Sequence, residues 1–173
     1  MHSIVIPDYI DSIHPYQGGR PIKEVARELG IPEESIIKLA SNENPLGISP
    51  KARKAIESNV SEISRYPDGN AYFLKQAIHK KFNISTNQII LGNGSNDILE
   101  LVARTFLTVN DEAIYSEHAF AVYSLAVQAV GAKGIEVKAI NYGHDLDQFI
   151  ESITKKTKVI FIANPNNPTG TLI

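Results

Sequence analysis

The sequence predicts an α/β domain built on a mostly parallel sheet. Three observations lead to this prediction. Apolar residues recur at helical spacing in several segments, short apolar runs lie between those segments, and the two kinds alternate from about residue 88 onward. Such alternation produces right-handed βαβ units, whose strands run parallel. The run Val159-Ile160-Phe161-Ile162 is apolar at successive positions, as strands buried on both faces are.

The individual elements follow from spacing and from residues that start or stop helices. Pro21 and Pro50 suit a first helical turn, Asn70 suits an N-cap, and Gly30 and Gly131 suit the position after a helix. The predicted helices are 21–30, 50–61, 70–82, 95–107, 119–130 and 146–153, and the predicted strands are 88–91, 112–115, 134–139 and 158–163.

The first part of the chain has a different character. Six of the nine prolines lie within the first 50 residues, and that density interrupts regular structure repeatedly. Apart from the short helix after Pro21, we expect an extended arm, whose apolar side chains must be buried on this domain or on a neighbouring subunit. Those side chains are Ile4, Val5, Ile6, Tyr9, Ile10 and Ile13. We therefore predict a division into segments 1–48 and 49–173.

Composition excludes several classes of protein. The chain has 173 residues, of which 43% are hydrophobic and 21% charged, as in globular domains. A net charge of −2 leaves no positive excess for a nucleic-acid backbone. No apolar run approaches the roughly 18 residues that a membrane span needs, and residues 1–10 do not form a secretory signal. The absence of cysteine excludes disulfides and thiolate metal sites and is typical of a cytoplasmic protein.

A glycine-rich turn joins the strand predicted at 88–91 to the next helix. It reads Gly92-Asn93-Gly94-Ser95-Asn96-Asp97. Glycines let the backbone approach a ligand closely, and the first amides of a helix are free donors at its positive end, so the turn can bind an anion. The alternative is a plain helix start without a ligand. The Asp97 charge would repel a phosphate unless it points away, and Asp97 stands where the dinucleotide fingerprint requires a third glycine.

Two further loops lie where parallel strands end, which is where ligands bind in such sheets. The loop Asn164-Pro165-Asn166-Asn167-Pro168-Thr169-Gly170 can present a rigid amide to a ligand oxygen, or it is an ordinary proline-rich turn. Phe120 can stack on a planar ring or belong to the core. His118 has no second metal ligand at suitable spacing and is expected at the surface, so we predict no metal site.

Together these loops resemble a known family. The Asn-Pro loop is similar to the N-P-x-N-P-T-G signature of class I/II aminotransferases, the fold-type I enzymes that use pyridoxal 5'-phosphate. Four more segments resemble the histidinol-phosphate aminotransferases in order and spacing. They are His14-Pro15-Tyr16-Gln17-Gly18-Gly19-Arg20-Pro21, the stretch 39–47, Arg65-Tyr66-Pro67-Asp68 and Gly92-Asn93-Gly94-Ser95-Asn96-Asp97. The resemblance extends from about residue 10 to 173.

The resemblance implies a fold and a cofactor site. The fold is the three-layer, mostly parallel sheet of the large domain, incomplete here, with 1–48 as the arm and a small-domain segment and 49–173 as part of the cofactor-binding domain. The implied cofactor-binding residues are Ser95, Asn96 and Asp97 for the phosphate, Phe120 for the ring face, Asn167 for the phenolic oxygen, and Tyr66 reaching the phosphate of the other subunit in a homodimer. The family more commonly has an acidic residue where Asn96 stands and often has tyrosine where Phe120 stands. Tyr16 and Asn42 border the implied substrate pocket.

The implied reaction exchanges amino groups between L-histidinol phosphate and 2-oxoglutarate in histidine biosynthesis. The family's Schiff-base lysine, the aspartate that pairs with the pyridine nitrogen and the arginine that binds the substrate carboxylate all come later than the Asn-Pro loop. We therefore expect the Schiff-base lysine to lie beyond Ile173, so that no catalytic residue is present among the 173 residues. We further expect that they are the N-terminal part of a longer enzyme and that they are inactive alone.

Other functions remain open at this point. One is a different fold-type I enzyme, such as an aspartate or aromatic aminotransferase or a phospho-amino-acid decarboxylase. Another, of a different class, is a non-catalytic binding or dimerisation module that keeps the phosphate turn. A nucleotide-binding domain is disfavoured by Asp97 at the third glycine position.

Overall fold

A computed structural model describes residues 5–173. Ile4, one of the arm residues expected to be buried, lies outside them. Two compact units make up the chain, one of residues 17–89 and the other of the remaining residues on either side of it. The predicted division at residue 48 stays a prediction.

The unit of residues 17–89 is helical. Its helices are α2 (Ile22–Leu29), α3 (Pro50–Asn59) and α4 (Tyr72–Phe82), with short 3-10 turns at Glu33–Ser35, Val60–Glu62 and Thr86–Gln88; the label α1 belongs to Asp8–Asp11 in the other unit. Gly30 ends α2 in the left-handed conformation with φ of 65°, as predicted for the residue after a helix.

Two predictions in this unit are wrong. Asn70 does not cap α4, because the carboxylate of Asp68 accepts the backbone N–H groups of Asn70 and Tyr72, each at 2.9 Å. No strand forms at 88–91 within the described residues, because Gln88 closes the 3-10 turn in a capping box with Ser85 and the residues after it have no neighbouring strand.

The other unit contains the sheet. Its remaining elements are α5 (Ser95–Phe106), β1 (Glu112–Ser116), α6 (Val122–Ala129), β2 (Lys133–Val137), α7 (Leu146–Glu151) and β3 (Thr157–Ile160). The strand order is β2-β1-β3, and β1 pairs in parallel with both neighbours, which confirms the predicted parallel sheet. A crossover helix lies between consecutive strands, because a short loop cannot join parallel strands.

Burial explains which strand is central. Ala113 and Ile114 of β1 are fully buried, and Ala113 packs with small or aromatic residues of α5, α6 and the segment after β3. Ile114 packs instead with Val137 and Phe149. The arm helix α1 packs on α6, with Gln128 donating from its side chain to the Ser12 hydroxyl at 3.1 Å. This short helix replaces part of the extended arm that was predicted.

Candidate functional site

The glycine turn before α5 is shaped by contacts that a side chain would disturb. A Cβ placed on Gly92 would lie 2.8 Å from the Cβ of Asp97, so only glycine fits without a shift. Gly94 has φ of 78°, in the region that favours glycine, and directly precedes the helix. These two positions bring the backbone sharply into the start of α5.

Asp97 points back into this turn. Its Oδ2 accepts the backbone N–H of Asn93 at 2.8 Å. The carboxylate is thereby held against the backbone of the glycine turn. The bond also fixes the turn, since it links the residue between the two glycines to the first helical turn.

The helix start offers unused donors. Within residues 5–173, the backbone N–H groups of Ser95 and Asn96 have no hydrogen-bond partner, and both residues are exposed. Helix α5 is twelve residues long, so its peptide dipoles add to a partial positive charge at this end. Free amides, a serine hydroxyl and this partial charge together favour an anion such as a phosphate group.

Phe120 lies between the core and solvent. Its ring is half-buried and contacts Tyr123 edge to face, with centroids 6.0 Å apart. Tyr123 in turn stacks on Phe161 at 4.9 Å. Leu99, one turn into α5, packs against the same buried cluster as Phe120. The start of α5 and the Phe120 ring are therefore held by one core.

The Asn-Pro loop follows β3 and is held by a buried asparagine. Asn166 is 3% exposed, and its Nδ2 donates to the Thr169 hydroxyl at 2.8 Å and to the carbonyl of His118 at 3.3 Å. Its backbone N–H donates to the carbonyl of Thr171 at 2.9 Å, while its own carbonyl accepts from Gly170 at 2.7 Å. Both Asn-Pro bonds are cis. Asn167, the predicted ligand, is the next residue and is half-buried.

Ile173 lies beside the start of the same loop. Its backbone N–H donates to Oδ1 of Asn164 at 3.1 Å, and its side chain is exposed. The stretch from Asn164 to Ile173 contains no lysine. That the Schiff-base lysine lies beyond Ile173 stays a prediction.

The backbone carbonyl of His118 is the part of this residue that bonds to the Asn-Pro loop. Its φ is 57°, its side chain is exposed as predicted, and its carbonyl accepts from Asn166. No cluster of three or more histidine or acidic side chains suited to a metal occurs among the described residues. The carbonyl of His118 therefore joins the loop after β1 to the loop after β3.

Lys138 lies at the carboxyl end of a strand, which is where ligands bind in parallel sheets. It follows β2, and its Nζ lies 2.8 Å from Oε1 of Glu117. Hydrogen bonding to Glu117, with the charge of that carboxylate, raises the pKa of Lys138 above its ordinary value. A raised pKa keeps the amine protonated at neutral pH, which is the opposite of what a nucleophilic lysine needs.

Three further residues were predicted as site residues, namely Tyr66, Asn42 and Tyr16. Tyr66 and Asn42 belong to the unit of residues 17–89, where both are exposed, and Tyr16 is exposed in the arm. Their predicted roles stay predictions.

Sequence reasoning missed Asn166, Thr169 and Tyr142 as parts of the loop framework. The spacing of Asn166 and Thr169, three residues apart within a turn, was the one available signal, since short polar side chains bond locally at that distance. The bond to Tyr142 spans 27 residues and left no local signal.

Comparison with known proteins agrees with this geometry. Residues 34–173 match the family described as aminotransferase class I and II. Histidinol-phosphate aminotransferase 2 of Nitrosospira multiformis is 57% identical over 96% of this chain and 43% of that protein. The histidinol-phosphate aminotransferase of Methylobacillus flagellatus is 58% identical over 96% of this chain and 45% of that protein. The chain thus spans less than half the length of these relatives.

Solved structures show the same fold. The histidinol-phosphate aminotransferase of Sinorhizobium meliloti, in complex with pyridoxal-5'-phosphate, superposes with a TM-score of 0.81 at 22% identity, over 96% of this chain and 44% of that one. The aspartate aminotransferase of Thermus thermophilus with maleate superposes with a TM-score of 0.81 at 19% identity, over 98% of this chain and 47% of that one.

Among residues 5–173, every helix is too short or too polar to span a membrane.

Proposed function

The chain belongs to the class I and II aminotransferase family, and from that premise we propose that it is the cofactor-binding part of an enzyme that transfers the amino group of L-histidinol phosphate to 2-oxoglutarate in histidine biosynthesis. The observation that carries the proposal is the arrangement of three groups in the unit that contains the sheet. A helix start with free amides, a half-exposed aromatic ring and an amide-bearing loop belong to one packed unit. These are the groups that a phosphorylated, planar cofactor requires.

The donor set fits pyridoxal 5'-phosphate group by group. The backbone N–H groups of Ser95, Asn96 and Asp97, with the Ser95 hydroxyl, would hold the phosphate. Phe120 would cover one face of the ring and exclude water from it. The side-chain amide of Asn167 would donate to the phenolic oxygen and favour its ionised form. The Asp97 carboxylate is occupied by its bond to the backbone N–H of Asn93.

When bound, the cofactor supplies an electron sink for the bond that breaks at the substrate's α-carbon. The residues of this chain orient that sink. The backbone donors at the start of α5 would anchor its phosphate, Phe120 would contact its ring, and Asn167 would donate to its phenolic oxygen. Lys138 is charged and paired, so it does not move the proton at the α-carbon.

Further residues complete the proposal at the level of the assembled enzyme. Tyr66 would reach the cofactor phosphate of the other subunit of a homodimer, and Tyr16 and Asn42 would border the substrate. All three side chains are exposed. We place this enzyme in the cytoplasm.

The anion site can be tested with a chimera in which these 173 residues replace the matching 43% of the Nitrosospira multiformis relative. Ser95→Pro removes one backbone donor, and proline is compatible with a first helical position. Ser95→Ala, the matched control, removes only the hydroxyl. We expect Ser95→Pro to weaken binding of pyridoxal 5'-phosphate roughly tenfold to a hundredfold, the range for a hydrogen bond to a charged group.

The readout is cofactor absorbance after gel filtration, together with the melting temperature of the cofactor-free chimera. We expect Ser95→Ala to weaken binding much less than Ser95→Pro. Equal affinity in Ser95→Pro and the parent chimera, at equal melting temperature, would contradict the phosphate assignment.

A further inference from the structure

We propose that Thr169 is a positioning residue that fixes the amide of Asn167 by tying the Asn-Pro loop to the hairpin after β2. This inference rests on the proposed function, in which Asn167 contacts the cofactor. The Thr169 hydroxyl accepts from Nδ2 of Asn166 at 2.8 Å and donates to the carbonyl of Tyr142 at 2.9 Å. It therefore links the side chain of the buried asparagine to this hairpin.

The hairpin provides a fixed acceptor. Ile140 and Gly143 exchange two backbone hydrogen bonds, at 3.1 and 2.9 Å, across a two-residue turn. Asn141 and Tyr142 have φ of 51° and 63°, which is the geometry of a type I′ turn. Because both sides of the turn are bonded, the carbonyl of Tyr142 has a fixed direction.

The two threonines whose hydroxyls reach this carbonyl differ in the number of hydrogen bonds that each makes. Oγ1 of Thr171 also lies 3.1 Å from the carbonyl of Tyr142 and 3.0 Å from Oγ1 of Thr169. Each hydroxyl has a single hydrogen, and the carbonyl has two lone pairs, so both hydroxyls can donate to it. Of these two, Thr169 also accepts from the side chain of Asn166. Loss of the Thr169 hydroxyl therefore breaks two bonds of the framework, and loss of the Thr171 hydroxyl breaks one.

The hydrogen bonds of the Asn166 side chain also restrain the backbone that leads into Asn167. Its Nδ2 faces the carbonyl of His118, so a flipped amide would place two acceptors together. Its buried Oδ1 has no partner in the structure, so the Nδ2 bonds are what hold the side chain. Without the Thr169 hydroxyl, one of those two bonds is lost, and the backbone leading into Asn167 loses an anchor.

The test uses the chimera that carries the full 173 residues, loaded with pyridoxal 5'-phosphate. Thr169→Val removes the hydroxyl at nearly constant shape, Thr169→Ser restores it, and Thr171→Val removes the second hydroxyl. Thr105→Val is the matched control, because among residues 5–173 its hydroxyl bonds the carbonyl of Leu101 within its own helix, α5. The measurements are cofactor affinity and the pH midpoint of the bound cofactor's visible absorption.

We expect Thr169→Val to weaken cofactor binding roughly fivefold to tenfold, the range for one net hydrogen bond. The absorption midpoint should rise, because a displaced Asn167 stabilises the ionised phenolic oxygen less. Thr171→Val should shift both quantities in the same direction by less. Thr169→Ser and Thr105→Val should match the parent chimera, since a loss of packing alone would not be restored by serine.

The outcomes are distinct. If the parent chimera binds no pyridoxal 5'-phosphate, the proposed function fails. If the parent binds and Thr169→Val keeps the parent's affinity and midpoint, or Thr169→Ser fails to restore them, the positioning role is overturned. If Thr169→Val does not fold, Thr171→Val decides, and an unchanged midpoint in that variant overturns the role.

Discussion

Asp68 holds the start of α4 through two backbone bonds, to Tyr72 and Asn70. Those bonds stabilise the carboxylate, so they lower the pKa of Asp68 below its ordinary value, with the Tyr72 bond contributing most. Asp68→Ala removes this cap, and we expect a lower melting temperature at pH 7, measured by circular dichroism. Glu57→Ala, which removes an exposed carboxylate from α3, is the control and should leave the melting temperature unchanged.

Because of these two bonds, the contribution of Asp68 to stability depends on pH. A carboxylate whose pKa is lower in the folded state adds stability above its unfolded pKa, about 3.9. That contribution is lost as the pH falls through the folded pKa. The difference in melting temperature between the parent and Asp68→Ala should therefore shrink on acidification from pH 5 to pH 2. A difference that stays constant over this range would contradict the capping role.

Gly134 lies on β2, and the ring of Tyr115 on β1 occupies the space that a side chain at Gly134 would need. A Cβ placed on Gly134 would lie 2.9 Å from Cε1 and 3.0 Å from Cζ of the Tyr115 ring. Alanine in a strand normally gains roughly 0.5–1 kcal/mol over glycine, but overpacking costs about 1–3 kcal/mol. We expect Gly134→Ala to destabilise the protein in denaturant titrations. In Tyr115→Ala the same substitution should be neutral or stabilising, and an equal loss in both backgrounds would contradict the crowding argument.

The sequence predicts those candidate residues that lie within recognisable local motifs. Ser95, Phe120 and Asn167 lie in a glycine turn, at a strand end and in an Asn-Pro loop, and the resemblance to the aminotransferases gave them their expected roles. The bond from Asn93 to Asp97 could not be predicted, since an aspartate at a helix start serves equally as a cap, a ligand or a surface charge. The link from Thr169 to Tyr142 depends on which loops meet in space.

Among the elements, β1 is the most tightly packed strand. Ile114 is fully buried between β2 and β3 and contacts Val137 and Phe149. We expect Ile114→Val to lower the free energy of unfolding by about 1 kcal/mol, which corresponds to a fall of about 2–4 °C in melting temperature. Ile150→Val on α7, where the side chain is 67% exposed, should change it by less than about 0.5 kcal/mol. Equal effects of the two substitutions would contradict the placement of β1.

Helices were predicted correctly where the spacing of the apolar residues and the length of the segment both indicated a helix. Helix α5 has a clear apolar face, and the predicted range 95–107 matches Ser95–Phe106 closely. The segment 88–91 failed because a short apolar run carries no information on whether a neighbouring strand exists. Asn70 failed as a cap because Asp68, two residues earlier, bonds the helix start with a charged group.

At the scale of the whole molecule, large apolar side chains remain exposed in both units. Leu39, Leu46 and Phe73 are exposed in one, and Ile90 and Leu172 in the other. Apolar surface of this extent is typical of faces that other protein covers. We expect the isolated chain to self-associate, with light scattering giving a mass above the 19.0 kDa of one copy. A monomer at all concentrations would contradict this expectation.

The central claim is that these residues form the cofactor-binding part of a histidinol-phosphate aminotransferase. The most direct measurement is transamination of L-histidinol phosphate with 2-oxoglutarate by the chimera, with aspartate and aromatic amino acids as competing substrates and the 173-residue chain alone as a control. We predict turnover of L-histidinol phosphate by the chimera, its loss in Asn167→Ala, and none by the chain alone. A folded chimera without turnover, one that prefers another amino acid, or turnover by the chain alone would contradict the claim.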